Sequence, residues 1–108
     1  VLVRQGDSLF VAPAFPLETV VDPTGAGDSF AGGFVGYLAA TGDLSPDGFR
    51  RAAVLGSVMG SFAVESFSVD RLASVSNGDI EERFRRFSDL SQFRALAEDE
   101  SLPWRDRA

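Results

Sequence analysis

Cysteine, histidine and lysine are all absent from these 108 residues. Without thiols the chain has no disulfides and no thiol nucleophile, and without imidazole it has no Ser-His-Asp triad and no zinc site of the usual kind. The lack of lysine excludes a Walker-type phosphate loop, which needs one after its last glycine. No apolar run approaches the roughly 20 residues of a membrane span, and no signal-peptide pattern opens the chain, so a cytoplasmic location is the default. Basic residues are few: ten, all arginine, stand against 16 acidic ones, a net charge of −6. That balance argues against nucleic acid or an anionic membrane as the main partner, and any phosphate must be held by local backbone against the overall field. What is present is globular, with 44% hydrophobic and 11% aromatic residues in a length suited to one domain with a single core.

The stretch that organises the chain is Asp22-Pro23-Thr24-Gly25-Ala26-Gly27-Asp28-Ser29-Phe30-Ala31-Gly32-Gly33-Phe34. The β-branched pair Val20-Val21 runs into a turn of Pro and small residues, and an apolar segment of helical period follows, so the pattern predicts strand, tight loop and helix start. Gly25, Ala26 and Gly27 have little side chain to cover the backbone. Their N–H groups can converge in front of a helix end that already has unpaired donors and partial positive charge, a natural seat for phosphate or an oxyanion. Asp28 sets a carboxylate at the mouth of that cradle, where it would repel a resting phosphate. It is read as the group that orients an attacking hydroxyl and takes its proton. The alternative is a helix-capping carboxylate, and the two roles are compatible. Gly32 and Gly33 read as close-packing positions that let the helix sit near a neighbouring strand.

Those residues, from Asp22 to Asp28 and on through Ala31-Gly32-Gly33-Phe34, resemble the C-terminal signature of the ribokinase-like, or PfkB, carbohydrate kinases, without a gap. Gly60-Ser61-Phe62-Ala63-Val64-Glu65 is similar to the segment that closes the nucleotide and cation sites in that family, and the resemblance continues to about Phe93. It implies an α/β fold, the C-terminal part of a doubly wound ribokinase-like domain, with a β-hairpin and a strand followed by three main helices. Residues 1–93 would be the C-terminal part of the kinase domain and 94–108 a charged, loosely held tail in which Trp104 is the one anchor. By the same resemblance Asp28 is the catalytic base, Gly25, Ala26 and Gly27 form the anion hole, and Asp22 and Thr24 help bind a monovalent cation such as K+. For Asp22 the alternative is an Asp initiating a turn before Pro. The implied cofactors are ATP and Mg2+, and the implied acceptor is a hydroxyl of a sugar or nucleoside.

Elsewhere the signals are local. Val1-Leu2-Val3-Arg4, the turn Gln5-Gly6-Asp7 and Ser8-Leu9-Phe10-Val11 read as a hairpin. Pro13 and Pro16 interrupt pairing, Phe15 and Leu17 read as apolar anchors under a loop, and Glu18 to Val21 reads as the last strand before the cradle. Phe30, Ala31, Phe34, Val35 and Leu38 give the following helix a wide apolar face, with Gly42 as its C-terminal cap. Ser45-Pro46-Asp47 restarts a helix, along which Phe49, Ala52, Ala53, Gly56, Met59, Gly60 and Ala63 recur at helical spacing. Its small residues mean that something approaches closely. That is either a neighbouring helix or, by the resemblance, an adenine pocket walled near Ala53, Ser57 and Gly60.

The carbonyls of the loop Glu65-Ser66-Phe67-Ser68 are candidates to complete the cation site, and Ser68 to Leu72 reads as one helical turn. Ser76-Asn77-Gly78-Asp79 caps a final helix with Ile80, Phe84 and Phe87 as its apolar row; Arg83, Arg85 and Arg86 are read as facing solvent.

A start in mid-strand, together with the intact signature, leads to the expectation that this is one part of a longer kinase and lacks useful turnover alone. The residues that would select the acceptor are not among those present. A second reading, from a different class, is a non-catalytic nucleotide-binding or interaction module that self-associates through its exposed apolar edges.

Overall fold

Gly6, at φ 59°, reverses the chain between two short strands, a backbone position that costs glycine little. Strand β1 (Leu2–Gln5) pairs antiparallel with β2 (Ser8–Val11) in the register Leu2 with Val11, Val3 with Phe10, Arg4 with Leu9 and Gln5 with Ser8. The computed structural model describes residues 1–16, 25–65 and 74–104. The expected strand Glu18 to Val21, the anchor Leu17, the cation ligands Asp22 and Thr24 and the turn Ser68 to Leu72 lie outside the described residues. Within them the protein is a small α/β assembly of the hairpin and three helices, α1 (Ala26–Thr41), α2 (Pro46–Val64) and α3 (Asn77–Ser91).

The helix ends follow the sequence. Gly42, at φ 65°, closes α1 with its N–H on the Leu38 carbonyl at 2.8 Å. Ser45 caps α2 by accepting from the Gly48 amide at 3.1 Å, with Pro46 in the first turn. Ser76 and Asp79 form a reciprocal capping box on α3, each side chain accepting from the other's amide at 3.1 Å.

The core gathers on α2. Phe15, Val58, Phe62 and Phe87 form the buried cluster, with Val54, Val75, Ile80 and Phe84 packed around it. Each fully buried side chain of this size contributes roughly 1.5–3 kcal/mol by leaving water. Val58 and Phe62 are absent from the row of small residues that the sequence singles out on α2. They lie on another face, because α2 is covered on more than one side. Conversely, α1 contains no buried residue, and Val35, expected on its apolar face, is 61% exposed.

Gly33 does approach a neighbour closely, but that neighbour is helix α2. A Cβ built on it would fall 2.9 Å from Met59 Cγ and 3.1 Å from Gly56 Cα, whereas a Cβ on Gly32 would meet no described residue within 4 Å. Helix-on-helix contact therefore replaces the helix-on-strand contact expected for the pair, and the bare surfaces of Gly33 and Gly56 meet where the two helices cross.

The Arg83 guanidinium points inward, contrary to the solvent-facing reading. It shares a face with Ile80, three residues before, and Phe87, four after, and its side chain is only 13% exposed. Arg85 is exposed as expected, 3.7 Å from Glu81. Along the hairpin, Leu2, Arg4, Leu9 and Val11 are exposed, while Val3, Gln5, Ser8 and Phe10 are half-buried. The Gln5 amide donates to the Leu44 carbonyl at 3.0 Å, and Arg50 sits 5.4 Å from the Phe10 ring centroid, which seats the hairpin beside the start of α2.

Candidate functional site

The N-terminus of α1 is built from a glycine that enters left-handed and a helix that starts without a side-chain cap. Gly25 has φ 87° and ψ −6°, and as the N-cap residue it offers no side-chain acceptor to the first-turn amides. The first intrahelical bond runs from the Ser29 amide to the Gly25 carbonyl at 3.0 Å. The amides of Ala26, Gly27 and Asp28 precede it and have no acceptor within the helix. Gly25 and Gly27 are exposed, and no described residue lies within 4 Å of where a Cβ would stand on either. Donors, partial positive charge and open space coincide there, the physical requirements for an oxyanion.

Asp28 is the third residue of α1 and is solvent-exposed. It makes no cap hydrogen bond, and no hydrogen bond or ion pair joins it to another described residue. The carboxylate thus gains from the positive helix end while its oxygens stay available.

Beside this helix start lies a cavity of about 400 Å³ whose lining includes Phe15, Ala26, Phe30, Ser57, Gly60 and Val64. Of the residues assigned from the sequence to phosphate or adenine, Ala26, Ser57 and Gly60 share it. The close approach of α1 explains Gly60, since a Cβ there would stand 3.3 Å from the Ala26 carbonyl oxygen. The Ser57 hydroxyl is buried with no hydrogen-bond partner among the described residues, in a cavity that is otherwise mostly apolar. Ala53 is fully buried, one helical turn before Ser57, and does not line the cavity. Asp22 and Thr24 lie outside the described residues, and among the described residues no group of three or more Asp and Glu side chains is placed to hold a metal ion.

Sequence reasoning missed the support behind the cavity. Phe15 and Ser61 both line it and both contact Arg83, whose guanidinium lies 4.8 Å from the Phe15 ring centroid and 3.0 Å from Ser61 Oγ. The signal was available: Arg83 falls in the same helical row as Ile80 and Phe87.

The sequence pattern of the pfkB family carbohydrate kinases matches residues 1–74. No curated protein matches the chain.

Proposed function

Because the chain belongs to the pfkB carbohydrate kinase family, we propose that it carries the phosphate-handling part of an ATP-dependent kinase acting on a hydroxyl of a sugar or nucleoside. In the proposed step the acceptor oxygen attacks the γ-phosphorus and the bond from phosphorus to the β–γ bridging oxygen breaks. ADP leaves, and the hydroxyl proton passes to Asp28. Little covalent work falls to the protein in such a transfer, so placement and charge stabilisation carry it. The amides of Gly25, Ala26 and Gly27 are assigned to the transferring phosphoryl group, where one well-aimed donor can be worth on the order of 3 kcal/mol. The cavity bounded by Ala26, Ser57 and Gly60 is assigned to the nucleotide base, with Ala53 behind it, and Asp22 and Thr24 to a monovalent cation. Mg2+ would travel with the ATP phosphates.

The observation that supports this reading best is the exposed carboxylate of Asp28, engaged by no other described residue, on the first turn of a helix that glycine rather than a capping side chain opens. Titration of the 15N-labelled chain with Mg-ATP tests it. Amide shifts centred on Gly25 to Asp28 and on Ser57 and Gly60 are expected. Binding that leaves those amides unmoved would sink the assignment.

A second reading is favoured by one feature of the hairpin: Leu2, Leu9 and Val11 lie 66%, 59% and 64% exposed on the same face. On this reading the chain is a non-catalytic nucleotide-binding module that self-associates through that face. Light scattering separates the two, since a concentration-dependent dimer that Leu9→Arg abolishes supports the second.

A further inference from the structure

Helix α3 lies beyond the residues that carry the family pattern, and Arg83 joins it to the cavity. Arg83 Nη2 meets Glu65 Oε1 at 2.6 Å, and Nη1 donates to Ser61 Oγ at 3.0 Å. The guanidinium carbon lies 3.8 Å from the Phe62 ring centroid and 4.8 Å from that of Phe15. Ser61 and Phe15 line the cavity, and Glu65 directly follows Val64, which lines it too. The Ser61 hydroxyl is fixed from both sides, donating to the Val58 carbonyl at 2.6 Å while accepting from Arg83.

Stability alone is a poor reason for such an arrangement. Replacing a largely buried ion pair by apolar side chains of similar volume is often neutral or stabilising. What a guanidinium adds is direction. Its planar fork serves two acceptors at once, and here they stand four residues apart, Ser61 in the last turn of α2 and Glu65 at its C-cap, which fixes the rotation of that turn about the helix axis. Ser57 lies one turn before Ser61 on the same helix, and Gly60 directly precedes it.

We propose that Arg83 is a positioning residue for the ligand cavity: from α3 it holds Ser61, Glu65 and Phe15 so that the wall formed by the end of α2 keeps its ligand-accepting shape. The role rests on the kinase reading of the cavity.

The test compares the wild-type chain with Arg83→Met and Arg83→Lys by Mg-ATP titration and by amide shifts without ligand. In folded Arg83→Met the amides of Ser57, Gly60 and Val64 are expected to shift while those of Ala39 and Ala40, at the far end of α1, stay in place. Nucleotide affinity is expected to fall about tenfold, the scale of coupling through residues that touch no ligand. Arg83→Lys, which keeps the charge but cannot serve both acceptors, is expected to recover part of the loss.

Wild-type affinity in a folded Arg83→Met variant, or cavity amides that do not move, would overturn the proposal and leave the kinase reading standing. A wild-type chain that binds no nucleotide would overturn the kinase reading, and the amide shifts alone would then decide whether Arg83 shapes the cavity. If Arg83→Met does not fold, the same readouts on Arg83→Lys carry the test.

Discussion

Gly56 of α2 lies directly against Phe30 of α1. A Cβ on Gly56 would stand 2.8 Å from both Phe30 Cδ2 and the Phe30 carbonyl oxygen. A side chain can move from such a position; a carbonyl within a helix cannot without shifting the helix. The contact therefore sets how closely α1 and α2 approach, and with it the place of the α1 N-terminus beside the cavity. Gly56→Ala is expected to lose about 1–3 kcal/mol of stability, as overpacking does. Gly36→Ala, at a helical position with no described residue within 4 Å of a Cβ, is the control and is expected to gain up to roughly 1 kcal/mol. Urea denaturation of both variants checks the pair, and equal midpoints would refute the packing argument.

Asp28→Asn keeps the shape of the side chain and removes its charge. Because Asp28 is exposed and engages no other described residue, folding is expected to change by no more than about 1 kcal/mol, the helix-end contribution. In a polypeptide with the complete kinase sequence, phosphoryl transfer should fall by about 100-fold or more, the lower end of what general-base catalysis supplies, while ATP affinity holds. Retained turnover in a kinase assay would remove Asp28 from the role of base.

Ser76→Ala is expected to cost about 1 kcal/mol, because it breaks one half of the capping box on α3. Since α3 supplies Phe87 to the core and Arg83 to the support behind the cavity, the loss should appear as faster amide hydrogen exchange across α3 before the rest of the chain. Uniform acceleration along the whole chain would instead mean that α3 does not open on its own.

Acid should weaken the junction between α1 and α2. The Ser45 hydroxyl donates to Asp43 Oδ1 at 2.5 Å and the Ser45 amide donates to the same oxygen at 3.0 Å. These bonds, opposed by slight desolvation and aided by the Arg51 charge, hold the Asp43 carboxyl below its ordinary value of 3.8. A folded-state value below the unfolded one gives stability that is fully present above about pH 4 and is lost as pH falls through the lowered value. Asp43→Asn is expected to lower the thermal midpoint at pH 7 and to flatten its decline below pH 4. An unchanged acid limb would mean that the bonds to Ser45 do not contribute to folding.

Much of the fold is legible in the sequence because its punctuation is local. Gly6, Gly42, Ser45-Pro46 and Ser76 each act within one turn of backbone, and each stands where its chemistry places it. The α1 start is legible for the same reason. What is not legible depends on which faces meet. Gly33 announces a close neighbour without saying whether it is a strand or a helix. Phe62 and Val58 are hidden behind a more conspicuous row of small residues. Arg83 is disguised by Arg85 and Arg86, two residues and three residues on, and only its register with Phe87 gives it away.

The family pattern ends at residue 74, yet the chain does not divide there. Phe87 from α3 completes the cluster around Phe62, and Arg83 shields the Phe62 ring. A polypeptide cut where the pattern stops would open that cluster to water. Shared ancestry and thermodynamic self-sufficiency have different borders in this chain: the stretch that declares its lineage leans on one that does not.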